Sequence, residues 1–180
     1  MRGKPVSARI EEGELTEAEA VELARESLLR TLAAAPKSRA ELAASLARKG
    51  FPEGAANQAL DRLNAVGLID DANYAETLVR TRHAERGLAR RAIAIELRRR
   101  GIEDADASSA LAQVSAEDEE HSALLVATKA LARTKGQSKD ARVRRAAGAL
   151  ARKGYSQSAA HSAIKAVLAT EGEEIEEFDG

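Results

Sequence analysis

Residues 91–114, RAIAIELRRRGIEDADASSALAQV, decide the fold because their outline occurs three times. ELAASLARKGFPEGAANQALDRL at 41–63 and RRAAGALARKGYSQSAAHSAIKAV at 144–167 align with them on the glycines Gly50, Gly101 and Gly154, which lie 51 and 53 residues apart. Four residues before each glycine stands Leu46, Leu97 or Leu150; directly after it, Phe51, Ile102 or Tyr155; ten residues after it, Leu60, Leu111 or Ile164. Each glycine follows two basic residues (Arg48 and Lys49, Arg99 and Arg100, Arg152 and Lys153), the charge a helix's carbonyl end favours. Glycine itself suits the left-handed residue that closes a helix. Each stretch therefore reads as helix, stop, helix.

A further helix precedes each stretch, at 17–35, 71–86 and 116–133. The chain is thus organised as three tandem three-helix, helix-turn-helix-like repeats at 16–69, 70–115 and 116–169, with a flexible leader at 1–15 and an acidic disordered tail at 170–180. A single repeat has too little apolar surface to stand alone, so neighbours must stack. The expected fold is an all-α, elongated, curved array.

Composition agrees. The 180 residues are 44% hydrophobic, but forty are alanine and four aromatic, with three prolines, so contacts are small and numerous and helix is favoured nearly everywhere. Thr16 with Glu19 and Ser38 with Glu41 are capping boxes; Pro36 helps end the first helix, and Phe51 and Pro52 open the third. Residues 134–139 form a flexible joint. Phe51, Ile102 and Tyr155 are packing residues at the helix junctions. Without cysteine there is neither a disulfide framework nor a cysteine zinc site. No signal peptide and no run of eighteen apolar residues occurs, so a cytoplasmic protein without a membrane partner is expected.

The net charge of −1 conceals a segregation. Residues 11–26 carry seven glutamates against one arginine, and the last ten residues six acids and no base; residues 78–101 carry eight arginines against two glutamates. From 121 to 170, ten Lys/Arg face Asp140 alone. A basic body carries acidic ends. In GLIDDANYAETLVRTRHAERG, residues 67–87, Asp70 and Asp71 form an acid-capped turn, and the next helix carries Tyr74, Ala75, Leu78 and Arg82 on one stripe. Arg82 is either held by Asp70 or Asp71 or snorkels from the core edge. Glu76 and Arg80 form an i,i+4 pair. On the helix at 88–100, Ala89, Ile93 and Leu97 face inward, while Arg91 and Arg98 share the opposite side with Ile95 between them. Arg144 aligns with Arg91 and Arg152 with Arg99, but the first repeat has Ala40 and Ala47 where the second has Arg91 and Arg98. The basic surface belongs to the second and third repeats. The contact candidates are Arg80, Arg86, Arg91, Ile95, Arg98, Arg99, Arg144, Arg145 and Arg152; the structural candidates are Asp70, Asp71, Tyr74, Arg82, Gly50, Gly101 and Gly154.

Enzyme chemistry has little support. His83, His121 and His161 stand far apart and in no metal-ligand spacing, and neither a phosphate-binding glycine loop nor a nucleophile elbow occurs, so no cofactor or metal is expected. Asp70 and Asp71 are explained by the negative charge a helix start prefers. A second reading is a winged-helix or helix-turn-helix DNA-binding transcriptional regulator, since SRAELAASLARKG followed by RLNAVGLID resembles a recognition helix leading to a wing. The residues after Gly67 read as a capped helix rather than a two-stranded wing, and the first repeat is the least basic.

GLIDDANY at 67–74, followed by Ala75, Arg82, Gly87 and the AIAIELRRRGI segment, resembles the RecX regulatory proteins, modulators of the bacterial RecA recombinase. The resemblance spans about 25–168. It implies a protein without catalysis of its own that binds the RecA filament on DNA in its helical groove and inhibits ATP hydrolysis, strand exchange and co-protease activity; a monomer is expected. It implies weaker, electrostatic binding to single- and double-stranded DNA as well. On that reading Arg91, Arg98, Arg99, Arg144, Arg145 and Arg152 supply the electrostatics, Ile95 is an apolar anchor, and the acidic tail at 171–179 competes with DNA for the basic face.

Overall fold

The computed structural model describes residues 4–172, and among these every regular element is helical. The helices are α1 (Val6–Glu11), α2 (Glu17–Ala34), α3 (Arg39–Arg48), α4 (Glu53–Ala65), α5 (Asp71–Arg80), α6 (Arg90–Arg99), α7 (Asp104–Leu111), α8 (Ala116–Ala132), α9 (Lys139–Arg152) and α10 (Gln157–Thr170). Both expected capping boxes form: Thr16 and Ser38 each accept from the backbone N–H three residues on, while Glu19 and Glu41 accept from the cap residue's own N–H. Ser115 and Asp118 make a third at the start of α8. Gly50, Gly101 and Gly154 take φ of 79°, 73° and 89°, the left-handed stop expected of them. Where a wing would need two strands, α5 follows the Gly67 turn.

Three local expectations are corrected. The leader is not wholly irregular: residues 6–11 form α1, Val6 is buried, and Ser7 N–H donates to the Gly50 carbonyl at 2.9 Å. The helix expected at 71–86 stops being α-helical at Arg80 and continues as a π-helical turn, Thr81–Glu85, closed by Leu88 N–H donating to the Arg82 carbonyl at 3.1 Å. At the joint of 134–139, Thr134 is buried with its hydroxyl 3.0 Å from the Leu131 carbonyl oxygen, and Lys139 already belongs to α9. Most of the acidic tail, 173–180, lies outside the described residues.

The chain forms two compact units. One comprises the described residues up to Ala75 with Leu97–Ala107. Its core joins Val21, Leu28, Leu42, Leu46, Leu60 and Leu63, with Ala20, Ala24 and Ala59 fully buried between them. Alanine here lets helix axes approach closely, and each fully buried leucine contributes about 2 kcal/mol. The other comprises Glu76–Glu96 and the described residues from Ser108 onward. Its core gathers Ala127, Leu131, Ala146, Leu150, Ile164 and Leu168.

Within each unit the repeat glycine abuts the start of an earlier helix. A Cβ on Gly101 would lie 2.3 Å from the Ala40 Cβ at the start of α3, and one on Gly154 would lie 2.6 Å from the Ala92 Cβ at the start of α6. A Cβ on Gly50 would lie 2.6 Å from the Pro5 Cβ, just before α1. Hydrogen bonds follow the same pattern: Ser38 Oγ, capping α3, donates to the Arg100 carbonyl at 2.5 Å, and Ala89 N–H, preceding α6, donates to the Lys153 carbonyl at 2.9 Å. A helix's carbonyl end thus meets another's amide end, which is favourable for both dipoles. Helix α1 gives α3 the neighbour that α3 gives α6, which is why the leader folds.

Candidate functional site

Helix α6 is two-faced. Ala89, Ile93 and Leu97 are at most 1% exposed, and on the opposite side Arg91, Ile95, Arg98 and Arg99 face solvent, with Ile95 49% exposed. Seven residues separate Arg91 from Arg98, a rise of about 10 Å, so one helical face carries cations at both ends and an apolar side chain in the middle. Arg90 is exposed as well, but it stands three residues before Ile93 and seven before Leu97, beside the buried stripe rather than on this face. On α9, Arg144, Arg145 and Arg152 are exposed over the buried stripe of Val143, Ala146 and Leu150. Arg80, at the end of α5, is exposed and its Nη2 lies 3.5 Å from Thr77 Oγ1, so the expected pairing with Glu76 is replaced by a neighbouring hydroxyl. Arg86 is exposed at the end of the π-helical turn, where its carbonyl accepts from Lys153 Nζ. Arg98 and Arg99 belong to the first unit and the other seven contact candidates to the second. Among the described residues none of these eight arginines enters a salt bridge. Their guanidinium forks remain available for bidentate contacts to phosphate or carboxylate.

Other arginines are already engaged. Arg82 pairs through two bonds with Glu96 across α6, Nε to Oε2 at 2.8 Å and Nη2 to Oε1 at 2.7 Å, not with Asp70 or Asp71. Asp70 instead accepts from Asn73 N–H at 2.9 Å as the cap of α5, and Asp71 accepts from Arg39 N–H at 2.8 Å, closing the start of α3. Arg100 Nη1 donates to the Tyr74 hydroxyl at 2.6 Å and to Glu41 at 3.3 Å, and the Tyr74 hydroxyl lies 3.2 Å from Glu41 Oε2. Arg142, 6% exposed, binds Glu171 at 2.5 Å. Arg100 and Arg142 were not singled out from the sequence, although a signal existed. Arg100 lies three residues after Leu97 and seven after Ile93, and Arg142 four before Ala146, so both fall on apolar stripes rather than opposite them.

Titration follows from this engagement. Burial pushes the Glu41 carboxyl upward, but the Ser38 N–H, Lys37 and Arg100 more than offset it and hold it below the ordinary 4.5. Burial raises Asp71 against the stabilising Arg39 amide, helped by Asp106 and Asp70 nearby. Burial raises the Tyr74 phenol, and the Glu41 carboxylate adds to the effect. Tyr155 is raised by burial too, and its hydroxyl bonds Ser122 at 2.9 Å and the Gly87 carbonyl at 3.1 Å, so it packs as expected at its junction. Among the described residues no group of three or more His, Asp or Glu could hold a metal ion, and no helix is long and apolar enough to cross a membrane.

Comparison with known proteins fits this architecture. Residues 24–63 match the family model for the first three-helix domain of RecX, and residues 70–111 that for the second. Regulatory protein RecX of Streptomyces coelicolor is 43% identical over 174 residues, 97% of this chain and 92% of its own length. That of Thermobifida fusca is 42% identical over 153 residues, 85% of this chain and 83% of its own. A crystal structure of RecX from Lactobacillus salivarius superimposes with a TM-score of 0.73 at 23% identity, covering 84% of this chain and 99% of that one. Another, of a regulatory protein RecX, gives 0.72 at 26% identity over 91% of this chain and 79% of its own. The chain belongs to the RecX family of regulatory proteins.

Proposed function

We propose that this protein binds the RecA–DNA filament, lying in its helical groove, and inhibits ATP hydrolysis, strand exchange and co-protease activity, acting as a cytoplasmic monomer that modulates recombinational repair and the SOS response. The observation that carries the reading is the sorting of arginines: those on apolar stripes are paired with Glu41, Glu96 and Glu171, whereas those on the outward faces of α6 and α9 are exposed without a salt bridge among the described residues. A cation left hydrated beside an exposed Ile95 suits a surface that meets phosphates and protein together. Family membership supports a regulatory role. Several weak contacts along one chain add through effective concentration, so no single arginine needs to dominate.

The test reverses Arg91, Arg98 and Arg144 to glutamate together. Filament binding should weaken at least ~10-fold, and the slope of log affinity against log salt should lose roughly two to three units, as expected for three lost phosphate contacts. An unchanged affinity and slope would remove these arginines from the interface. Binding to bare single-stranded DNA as tight as to the filament would favour a plain DNA binder.

A further inference from the structure

One side of α8 is buried through Ser122, Ala123, Ala127 and Leu131. On the other side His121, Leu124, Leu125, Thr128 and Ala132 recur at helical spacing and all face solvent, Leu124 36% and Leu125 59% exposed. The two ends of the helix carry opposite charge: Glu117, Asp118 and Glu120 are exposed near its start, Lys129 and Arg133 near its end. Asp118 also caps the Ser115 N–H, and among the described residues none of these five enters a salt bridge. All of them belong to the second unit. We propose that this side of α8 is a self-association surface, on which a second copy of the chain lays its own α8 antiparallel about a two-fold axis.

Acids at a helix start and bases at its end suit the helix's own dipole. The same polarity makes α8 its own complement once a copy is reversed, because a two-fold contact brings the same patch together from both chains. With the axis at Leu125, that leucine meets its counterpart and Glu117 stands opposite Arg133 of the second copy. Asp118 and Glu120 then lie within one turn of the second copy's Lys129 along the helix. A parallel pairing would set acid on acid and base on base. Leu124 borders a groove of about 860 Å³ lined also by Ala94, Ala123, Ala159 and Ala163, which gives the arriving side chains a small-residue floor. Helix α8 has 17 residues, a length of about 25 Å. A single helix pair of that length covers less than the roughly 1,200 Å² of a stable complex, so the pair is weak, with a dissociation constant on the order of 100 μM. The dilute chain therefore stays the monomer proposed above. Two chains held near one another on a filament have a higher effective concentration and pair there. That consequence rests on the reading above; the pairing itself does not.

Sedimentation equilibrium of the full-length protein, without DNA or recombinase, tests the pairing independently of filament binding. At low salt the average mass should rise from 19.1 kDa toward twice that value as the concentration passes from about 10 μM to about 1 mM. Leu125→Gln changes a 59%-exposed position, so it should fold normally and weaken association at least ~10-fold. Lys129→Glu with Arg133→Glu sets acid against acid in the pair, and Glu117→Lys with Glu120→Lys sets base against base, so each double variant alone should associate at least ~10-fold more weakly. An equimolar mixture of the two should pair at least as tightly as the natural chain. Adding Leu125→Gln to both should weaken the mixture at least ~10-fold, which separates helix pairing from attraction between oppositely charged molecules. Association indifferent to Leu125→Gln, or a mixture no tighter than either double variant alone, would overturn the proposal. So would a natural chain that stays monomeric up to about 1 mM, an outcome that would assign the face to a helix of another protein.

Discussion

At the scale of single residues, the arginines divide by position on their helices, and this division yields the sharpest predictions. Arg82 and Glu96 side chains are 16% and 21% exposed, so Arg82→Ala leaves a largely buried carboxylate without its two-pronged partner and should cost about 2 kcal/mol in urea unfolding. For Glu41 the folded carboxyl lies below 4.5; its stabilisation is complete above that value and is lost as pH falls through the folded value, so Glu41→Gln should flatten the acid limb of a stability–pH curve. Asp71 runs the other way. Its raised carboxyl makes the charged form a burden as pH rises, so Asp71→Asn, which can still accept from Arg39 N–H, should leave stability at pH 7 unchanged or higher, whereas Asp71→Ala loses the cap and should cost about 1 kcal/mol. The sequence made the free arginines on α6 legible through helical spacing, but not the partners of Arg82, Arg100 and Arg142. Glu96, Glu41 and Glu171 lie 14, 59 and 29 residues away, and no local rule selects them.

Between residue and fold stand the helix ends. Capping boxes and left-handed glycines could be read in advance because each is settled within a few residues of chain. The π-helical turn at Thr81–Glu85 and the short α1 could not, since each is tied to residues far along the chain: the Gly87 carbonyl accepts from the Tyr155 hydroxyl at 3.1 Å in one case, and the Gly50 carbonyl from Ser7 N–H at 2.9 Å in the other. Gly101 and Gly154 combine positive φ with a near neighbour, whereas Gly67, φ 72°, faces open space. Alanine at Gly67 should therefore cost only the conformational penalty of about 1 kcal/mol, while alanine at Gly101 or Gly154 should cost distinctly more because Ala40 or Ala92 must move. Thermal unfolding of the three variants orders them directly.

On the scale of the whole molecule, a net charge of −1 and a pI near 6.4 are poor guides to what the protein attracts, because the charges are segregated along the chain, with seven glutamates against one arginine at 11–26 and eight arginines against two glutamates at 78–101. Screening reaches about 10 Å at 0.1 M salt, so a ligand at the middle of the chain responds to the local arginines more than to the sum. Affinity for random single-stranded DNA should accordingly fall about 20-fold between 50 and 200 mM salt if three phosphates are engaged. The helix-end joint has one more consequence, for growth by duplication. Gly101 is seated on Ala40 and Gly154 on Ala92, and the matching positions on α9 hold Arg144 and Arg145. A fourth repeat copied in after α10 would bring its glycine against one of those arginines and would need alanine there, so lengthening the array and keeping its charge compete for the same two positions.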